Sequence, residues 1–260
     1  MTRILIVRTC AVGDFVLNLP ALQSLQTAEP DAVFTLIGAA QSLALARDFI
    51  RVEAVHSIEA EPWRRLFYES IPARDYRRAI VWMKDPAVAQ NLKASGIESV
   101  QWANPFPTGM HAAMHLLNTL GLKAPPLQDR WNLSSKRIVL HPGSGGRQKC
   151  WPHFLELARR LENPVFLIGP AEEGFDTGGY PYVENLELPA VAALLADSAA
   201  FVGNDSGITH LAGYLGCPTI ALFGPTDPAI WGPVGLRVRI LHKPVLASIG
   251  VDEVLRRVQE

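Results

Sequence analysis

The chain has 260 residues, 48% of them hydrophobic, and a mean hydropathy of +0.13, which is enough apolar side chain for one large domain or two smaller ones. Its 24 lysines and arginines balance 25 aspartates and glutamates to a net charge of −1, so no bulk field attracts nucleic acid. Three widely spaced cysteines give neither a disulfide framework nor a zinc spacing, and no apolar run approaches the roughly 20 residues that span a bilayer.

Apolar runs typical of buried strands alternate with helical segments along the first half of the chain. Strands are predicted at residues 4–7, 32–37, 54–58, 79–83 and 98–102. Helices are predicted at residues 14–27, 41–49, 63–67, 86–94 and 110–120, and Pro20 is expected to kink or restart the first of them. This alternation implies a parallel sheet with helices on both faces.

A second α/β segment follows a proline-containing, polar stretch that is the best candidate for a linker. Strands are predicted at 138–141, 165–168, 199–202, 219–223 and 238–242, and helices at 154–161, 189–196, 208–215 and 251–258. Residues 171–182 are predicted as a glycine-rich, charged loop. The expected division is a domain at 1–122, a linker at 123–135, a domain at 136–247 and a closing segment at 248–260.

A turn of small residues at 203–207 lies between a predicted strand and a predicted helix. Such a turn leaves backbone N–H groups unpaired at the positive end of the helix dipole, which favours an anion, most often a phosphate. The residues predicted to form this site are Asp205, Ser206, Gly207, Ile208, Thr209 and His210. Ordinary N-capping by Asp205 or Ser206 explains the turn equally well, and His210 fits either a buried, hydrogen-bonded position or a place beside the phosphates.

Two further loops follow strands of the second segment. Residues 141–149 are glycine-rich and end in Arg147 and Lys149, so Ser144, Gly145 and the Lys149 ammonium are candidates to hold a diphosphate. A solvated loop is the alternative for this segment. A carboxylate at Glu172 or Glu173 is a candidate to accept hydrogen bonds from a ribose, although an exposed, solvated turn also explains this pair.

Asp14 follows the first strand beside Gly13, where a carboxylate can take a proton from a hydroxyl or simply cap a helix. Gly13 also permits close approach by a ligand. The spacing of His111 and His115 suits metal ligation, but no third ligand is evident and no metal site is predicted. Trp231 is expected in the core.

Three ordered blocks of the sequence carry a family resemblance. They are ILIVRTCAVGDFVLNLPALQSL at 4–25, HPGSGGRQKCWP at 141–152 and DSGITHLAGYLGCPTIALFGPTDPAIWGP at 205–233. The chain resembles glycosyltransferase family 9, the lipopolysaccharide heptosyltransferase group. The resemblance implies an α/β GT-B fold of two Rossmann-like domains with parallel sheets and an active site in the cleft between them, with the final helix packing back on the first domain.

The resemblance also implies a reaction and its residues. Asp14 is the expected general base of an N-terminal acceptor-binding domain, and Lys149 the expected phosphate ligand of a C-terminal nucleotide-sugar-binding domain. The resemblance favours Glu173 over Glu172 as the ribose partner. The expected activity is inverting, metal-independent transfer of a heptose or related sugar from a nucleotide diphosphate donor to a hydroxyl acceptor, in lipopolysaccharide or other surface-glycan synthesis. A non-catalytic sugar-nucleotide-binding protein and a nucleotide-sugar epimerase or hydrolase of the same fold stay open.

The expected partners are a nucleotide-sugar donor and a glycan or glycolipid acceptor, without a cofactor and without nucleic acid. The absence of a D-x-D sequence counts against a donor held through a metal ion. The expected location is the cytoplasm, and any membrane association is expected to be peripheral, at the inner face of the cell membrane.

Overall fold

The computed structural model describes residues 2–260 and divides the chain into two compact units, Met1–Pro125 and Pro126–Glu260. The division falls inside the segment at 123–135 that the sequence suggests as a linker. Each unit contains one sheet with its own hydrophobic core.

The sheet of the first unit has five parallel strands in the order β3-β2-β1-β4-β5. The strands are β1 (Thr2–Arg8), β2 (Ala32–Gly38), β3 (Val52–Ser57), β4 (Arg78–Trp82) and β5 (Ser99–Ala103). Four consecutive apolar residues of β1, from Ile4 to Val7, are fully buried. Successive side chains of a strand point to opposite faces, so both faces of this central strand are covered.

The helices of the first unit are α1 (Val12–Val16), α2 (Leu19–Ala28), α3 (Ala40–Leu43), α4 (Ala87–Ala94) and α5 (Ala112–Leu120). Pro20 lies in the first turn of α2, so the helix predicted over 14–27 is two helices, as its proline suggested. The helix predicted at 41–49 is α3 followed by a 3₁₀ turn at Ala44–Asp48, and residues Trp63–Phe67 also form a 3₁₀ helix.

The sheet of the second unit has six parallel strands in the order β11-β10-β9-β6-β7-β8. They are β6 (Ile138–His141), β7 (Pro164–Ile168), β8 (Tyr182–Glu184), β9 (Ala200–Asn204), β10 (Thr219–Phe223) and β11 (Val238–His242). The edge strand β8 ends the segment predicted as a loop. It has only three residues and is half exposed, so it carries no apolar run for the sequence to reveal.

The helices of the second unit are α6 (Phe154–Ala158), α7 (Leu188–Ala196), α8 (Gly207–Leu215), α9 (Pro228–Trp231) and α10 (Val251–Gln259). The family resemblance placed the closing segment 248–260 against the N-terminal domain, and that packing stays a prediction; the described contacts of the segment lie in the second unit. Val251 and Val254 are buried in the core of the second unit, and the Trp151 indole N–H donates to the Ile249 carbonyl at 2.9 Å. These contacts hold the amphipathic face of α10 on the sheet that precedes it in the chain.

Both sheets share a topology that decides where ligands bind. The chain leaves β1 toward β2 and β3 and then returns to place β4 on the other side of β1; in the same way β6 lies between β7 and β9. At such a switch point the loops after two neighbouring strands diverge and leave a crevice at their carboxyl ends. Within residues 2–260, no helix combines the length and the apolar character needed to cross a membrane.

Candidate active site

An ion pair lies at the switch point of the second unit, between the loop after β6 and the loop after β9. Lys149 Nζ donates to Asp205 Oδ2 at 2.6 Å, and the Ser144 hydroxyl donates to the Asp205 carbonyl oxygen at 2.7 Å. The structure therefore brings the predicted residues Ser144 and Lys149 together with Asp205, which lies 61 and 56 positions further along the chain. Asp205 itself, as an anion, is the counter-ion of Lys149 and not a direct ligand for phosphate.

The Asp205 carboxylate stays ionised at neutral pH. Burial raises its pKa, but this is outweighed by the side chains of His210, Lys149 and Thr226, which together hold the pKa at about 2. Asp205 has only 9% of its side chain exposed, whereas Lys149 has 30%. The Lys149 ammonium is thus held by a buried carboxylate while part of the lysine side chain faces solvent, which is compatible with an anionic ligand at this point.

Helix α8 begins directly after this ion pair. Ser206 is its N-cap and accepts from the Thr209 N–H at 3.4 Å, so the capping alternative describes what Ser206 does. The buried Thr209 hydroxyl donates to the Asn204 carbonyl. Within residues 2–260, no acceptor is described for the N–H groups of Gly207 and Ile208. These two backbone groups, together with the helix dipole, are the anion-binding part of the turn.

His210 is buried in the first turn of α8, with Nε2 3.9 Å from Asp205 Oδ1. Its Nδ1 atom is buried and has no hydrogen-bond partner within the described part of the chain. The histidine therefore faces the carboxylate with one nitrogen and leaves the other unsatisfied.

Asn204, which sequence reasoning did not single out, ties the two loops together. Its Oδ1 accepts from the Trp151 N–H at 3.0 Å, and its Nδ2 donates to the Pro142 carbonyl at 2.7 Å. The side chain is fully buried at the end of β9. It thus holds both ends of the segment that carries Lys149. The sequence placed Asn204 in the predicted turn at 203–207, whereas β9 extends to it, so its position inside the sheet was not visible in the sequence.

Of the two candidate glutamates, Glu172 and not Glu173 is the one described in contact with the loop after β6. Glu172 Oε2 accepts from the Gly169 N–H at 2.9 Å, and its side chain occupies the space where a Cβ on Gly143 would lie, 1.9 Å from Oε1. Glu173 is exposed, and within residues 2–260 no hydrogen bond or ion pair is described for its side chain. The ribose role that the sequence favoured for Glu173 stays a prediction.

Asp14 lies in the first unit, at the third position of α1. The N-cap of α1 is Ala11, so Asp14 does not cap the helix, and it directly follows Gly13. Its side chain is partly exposed, and no hydrogen bond or ion pair within residues 2–260 is described for it. An unengaged carboxylate beyond the carboxyl end of β1 suits proton transfer better than a structural contact does.

The remaining candidates have local roles. His111 caps α5 by accepting from the Ala113 N–H, and His115 Nε2 lies 2.7 Å from the Asn104 carbonyl oxygen. Asp227 caps α9, which ends at the half-buried Trp231. Gly145 is exposed, as is Arg147. Across residues 2–260, no three histidine, cysteine, aspartate or glutamate side chains are grouped so as to hold a metal ion.

The sequence model of glycosyltransferase family 9 (heptosyltransferase) matches residues 103–249, which is more than half of the chain. The chain belongs to glycosyltransferase family 9. As a member of this family the protein is an enzyme that transfers a sugar. It is 24% identical to lipopolysaccharide heptosyltransferase 1 of Escherichia coli (strain K12), over 93% of this chain and 94% of that protein.

Two solved structures of family 9 relatives are similar over nearly the whole chain. E. coli heptosyltransferase WaaC with ADP gives a TM-score of 0.76 at 20% identity and covers 99% of each chain. E. coli ADP-heptose lps heptosyltransferase II gives 0.78 at 21% identity and covers 100% of this chain and 98% of that one. The two parallel α/β units therefore have the GT-B fold that the resemblance implied.

In this family 9 chain, Asn204→Leu is expected to loosen the Lys149 loop. The substitution keeps the volume but leaves the Trp151 N–H and the Pro142 carbonyl buried without partners, at a cost of about 2–3 kcal/mol in the free energy of unfolding. Denaturant unfolding measures that loss. Asn132→Ala, at an exposed position, is the control; an Asn204→Leu protein as stable as this control would show that the bridge does not hold the loop.

Gly143→Ala is expected to displace the Glu172 carboxylate, because the added methyl group would lie within 2.0 Å of its atoms. Overpacking of this kind typically lowers the free energy of unfolding by about 1–3 kcal/mol. Gly145→Ala is the matched control, since nothing lies within 4 Å of the Cβ it would add. Thermal melting of the two variants provides the comparison. If Gly143→Ala had the same melting temperature as the Gly145→Ala control, the Glu172 side chain would be able to move aside at no cost in stability.

Proposed function

We propose that this enzyme transfers a heptose from an ADP-heptose donor to a hydroxyl of a lipopolysaccharide acceptor, with inversion and without a metal ion. The observation that carries the proposal is the anion site of the second unit, where Lys149 is held by Asp205 beside the unpaired N–H groups at the start of α8. The names of the relatives supply the sugar, the nucleotide and the acceptor class.

The second unit is the proposed donor side. A nucleotide diphosphate leaving group gains negative charge as its bond to the sugar breaks, so fixed cations and amides stabilise the transition state more than the bound donor. Lys149 supplies the cation, and Gly207 and Ile208 supply backbone N–H groups. Because the protein's own groups meet this charge, the proposed reaction needs no metal ion. Glu172 or Glu173 is the proposed ribose partner.

The first unit is the proposed acceptor side, with Asp14 as the general base. Asp14 takes the proton of the acceptor hydroxyl as the hydroxyl oxygen forms a bond to the anomeric carbon. The bond from that carbon to the diphosphate oxygen breaks on the opposite face, and ADP leaves with the electron pair. A single displacement of this kind inverts the anomeric configuration. No oxidant, reductant or further reactant is required.

The proposed acceptor is a glycolipid whose lipid part lies in a membrane. We therefore place the enzyme in the cytoplasm, with peripheral association at the inner face of the cell membrane. The acceptor headgroup provides that association in this proposal.

The direct test mixes the full chain with ADP-heptose and lipopolysaccharide that lacks heptose, in the presence of EDTA, and measures ADP release and the heptose content of the acceptor. Heptosylated acceptor with inverted anomeric configuration, determined by NMR, is expected. ADP release that is equally fast without acceptor would identify a hydrolase. ADP binding without turnover of the donor would identify a non-catalytic binding protein, and activity lost in EDTA and restored by a divalent ion would contradict metal independence.

A further inference from the structure

A buried arginine lies at the switch point of the first unit. Arg8 is the last residue of β1 and has 6% of its surface exposed. Its Nε donates to Asn18 Oδ1 at 3.2 Å, and its Nη1 donates to the Trp82 carbonyl at the end of β4, at 3.4 Å. The guanidinium therefore bridges the carboxyl ends of the two strands between which the connection reverses direction.

The partners of this guanidinium are all neutral. Besides Asn18 and Trp82, only the Cys10 thiol is described as a hydrogen-bonding neighbour, and Arg8 takes part in none of the ion pairs described for residues 2–260. An arginine has five N–H donors. Two of these N–H groups donate to oxygen atoms, so most of the Arg8 donors have no oxygen acceptor in the described chain. The Asn18 Nδ2 atom beside it is also buried and has no partner.

The second unit provides a direct comparison. There too a cation lies at the switch point, but Lys149 is paired with the Asp205 carboxylate at 2.6 Å. Buried charges in proteins are normally paired, because desolvation without a counter-ion is strongly unfavourable. Arg8 is the more buried of the two cations and the one without a counter-ion. This contrast indicates that its partner comes from outside the described chain.

The position of Arg8 indicates which ligand supplies that partner. Exposed residues Thr9 and Ala11 follow it, and Asp14 lies in the helix after them. Only five residues separate Arg8, at the carboxyl end of β1, from Asp14 in α1, so both groups lie at the same edge of the sheet. A ligand that brings a hydroxyl to Asp14 therefore comes close to Arg8.

We propose that Arg8 binds an oxyanion of the acceptor, a carboxylate or a phosphate, next to the hydroxyl that Asp14 deprotonates. This inference rests on the proposed function, in which Asp14 acts on the acceptor. A planar guanidinium matches two oxygens of either group, which a lysine ammonium does not. Arg8 thereby selects acceptors that carry a negative charge beside the reacting hydroxyl.

A purely structural arginine would join β1, β4 and α2 and would have no preference among acceptors. The two roles differ in kinetics. Arg8→Gln is expected to lower kcat/KM for heptose-free lipopolysaccharide about 10- to 100-fold, as for loss of a charge-assisted hydrogen bond, with KM for ADP-heptose unchanged. Arg8→Lys is expected to recover part of the loss. Arg47→Gln, an exposed arginine at the opposite, amino-terminal side of the sheet, is the control.

The acceptor is then changed instead of the protein. One sample has its carboxyl groups reduced to alcohols and another has its phosphates removed by a phosphatase. The sample that lacks the bound group should lose the same 10- to 100-fold with the wild-type enzyme and nothing further with Arg8→Gln. That result also identifies the group. The inference would be overturned if, for both samples, the loss caused by modifying the acceptor and the loss caused by Arg8→Gln multiplied. It would also be overturned if the wild-type enzyme used both modified acceptors as well as the unmodified one.

A binding measurement separates this inference from the proposed function. The Arg8 Nε–H resonance of the ¹⁵N-labelled protein is assigned by its absence in Arg8→Lys, and the wild type is titrated with sodium acetate, with inorganic phosphate and with sodium chloride. A saturable shift with acetate or phosphate, and none with chloride, is expected. If no acceptor is heptosylated while this shift is seen, the proposed function fails and the anion site stands. No saturable shift means that Arg8 binds no oxyanion.

Discussion

Asp14→Asn is expected to lower kcat for heptose transfer by about 10²–10⁴-fold, the contribution that a positioned general base makes. The asparagine keeps the size and hydrogen-bonding reach of the aspartate but does not accept a proton. No side-chain contact within residues 2–260 is described for Asp14, so its replacement is expected to leave the free energy of unfolding within about 0.5 kcal/mol of the wild type. Steady-state kinetics and denaturant unfolding measure the two quantities.

The matched control is Asp75→Asn, another exposed aspartate of the first unit, which has 86% of its side chain accessible and lies 4.0 Å from Arg3. This control is expected to transfer heptose at the wild-type rate. The affinity for ADP should be the same in all three proteins, since Asp14 is assigned to the acceptor. An Asp14→Asn enzyme that retains most of its kcat would remove the base assignment and leave the donor site untouched.

Lys149→Met is expected to lower kcat/KM by about 10²–10³-fold, because it removes the cation that meets the charge developing on the leaving diphosphate. Calorimetry is expected to show a larger loss of affinity for ADP than for adenosine, which has no phosphate. The methionine keeps the length of the side chain, so the loss reports the charge. Equal losses for ADP and adenosine would mean that Lys149 supports the shape of the loop and does not bind phosphate.

Lys149→Met also removes the counter-ion of Asp205, and a double variant separates this effect on stability from the loss of phosphate binding. Without Lys149, the Asp205 carboxylate is left buried with the equally buried His210 as its ionisable neighbour among the described ion pairs. An uncompensated buried charge lowers stability. Lys149→Met with Asp205→Asn is therefore expected to recover stability relative to Lys149→Met alone, but not ADP affinity. If the double variant regained full ADP affinity, repulsion by Asp205 would be the main cause of the single variant's defect.

The sequence predicted strands and turns well where they produce a recognisable pattern of apolar or small residues. The strands at 138–141 and 219–223 have the predicted bounds, because apolar runs buried on both faces are distinctive, and the edge strand at 238–242 also has the predicted bounds although it is only partly buried. The turn that precedes α8 was predicted because small residues and a helix N-terminus leave a local signature. Where the predicted bounds differ, as in the short edge strand β8, few side chains are buried and the pattern is weak.

The docking of α10 shows what a local pattern leaves open. Its amphipathic character was visible in the sequence, but an apolar stripe does not specify which surface covers it. The core of the second unit covers it, and the Trp151 indole, 98 residues away in the chain, binds the Ile249 carbonyl just before α10. The choice between Glu172 and Glu173 has the same origin, because the space left by Gly143 selects one of two adjacent carboxylates.

The sequence by itself determined that this chain has two parallel α/β units, that it belongs to glycosyltransferase family 9, and which loops carry its polar residues. Those properties depend on periodicity and on short blocks of adjacent residues. Only the tertiary structure decided that Lys149 is paired with Asp205, that Asn204 ties the two loops together and that Arg8 forms no ion pair within residues 2–260. Each of these depends on the distance between side chains far apart in the chain, which the crossing order of the strands sets and the local sequence does not.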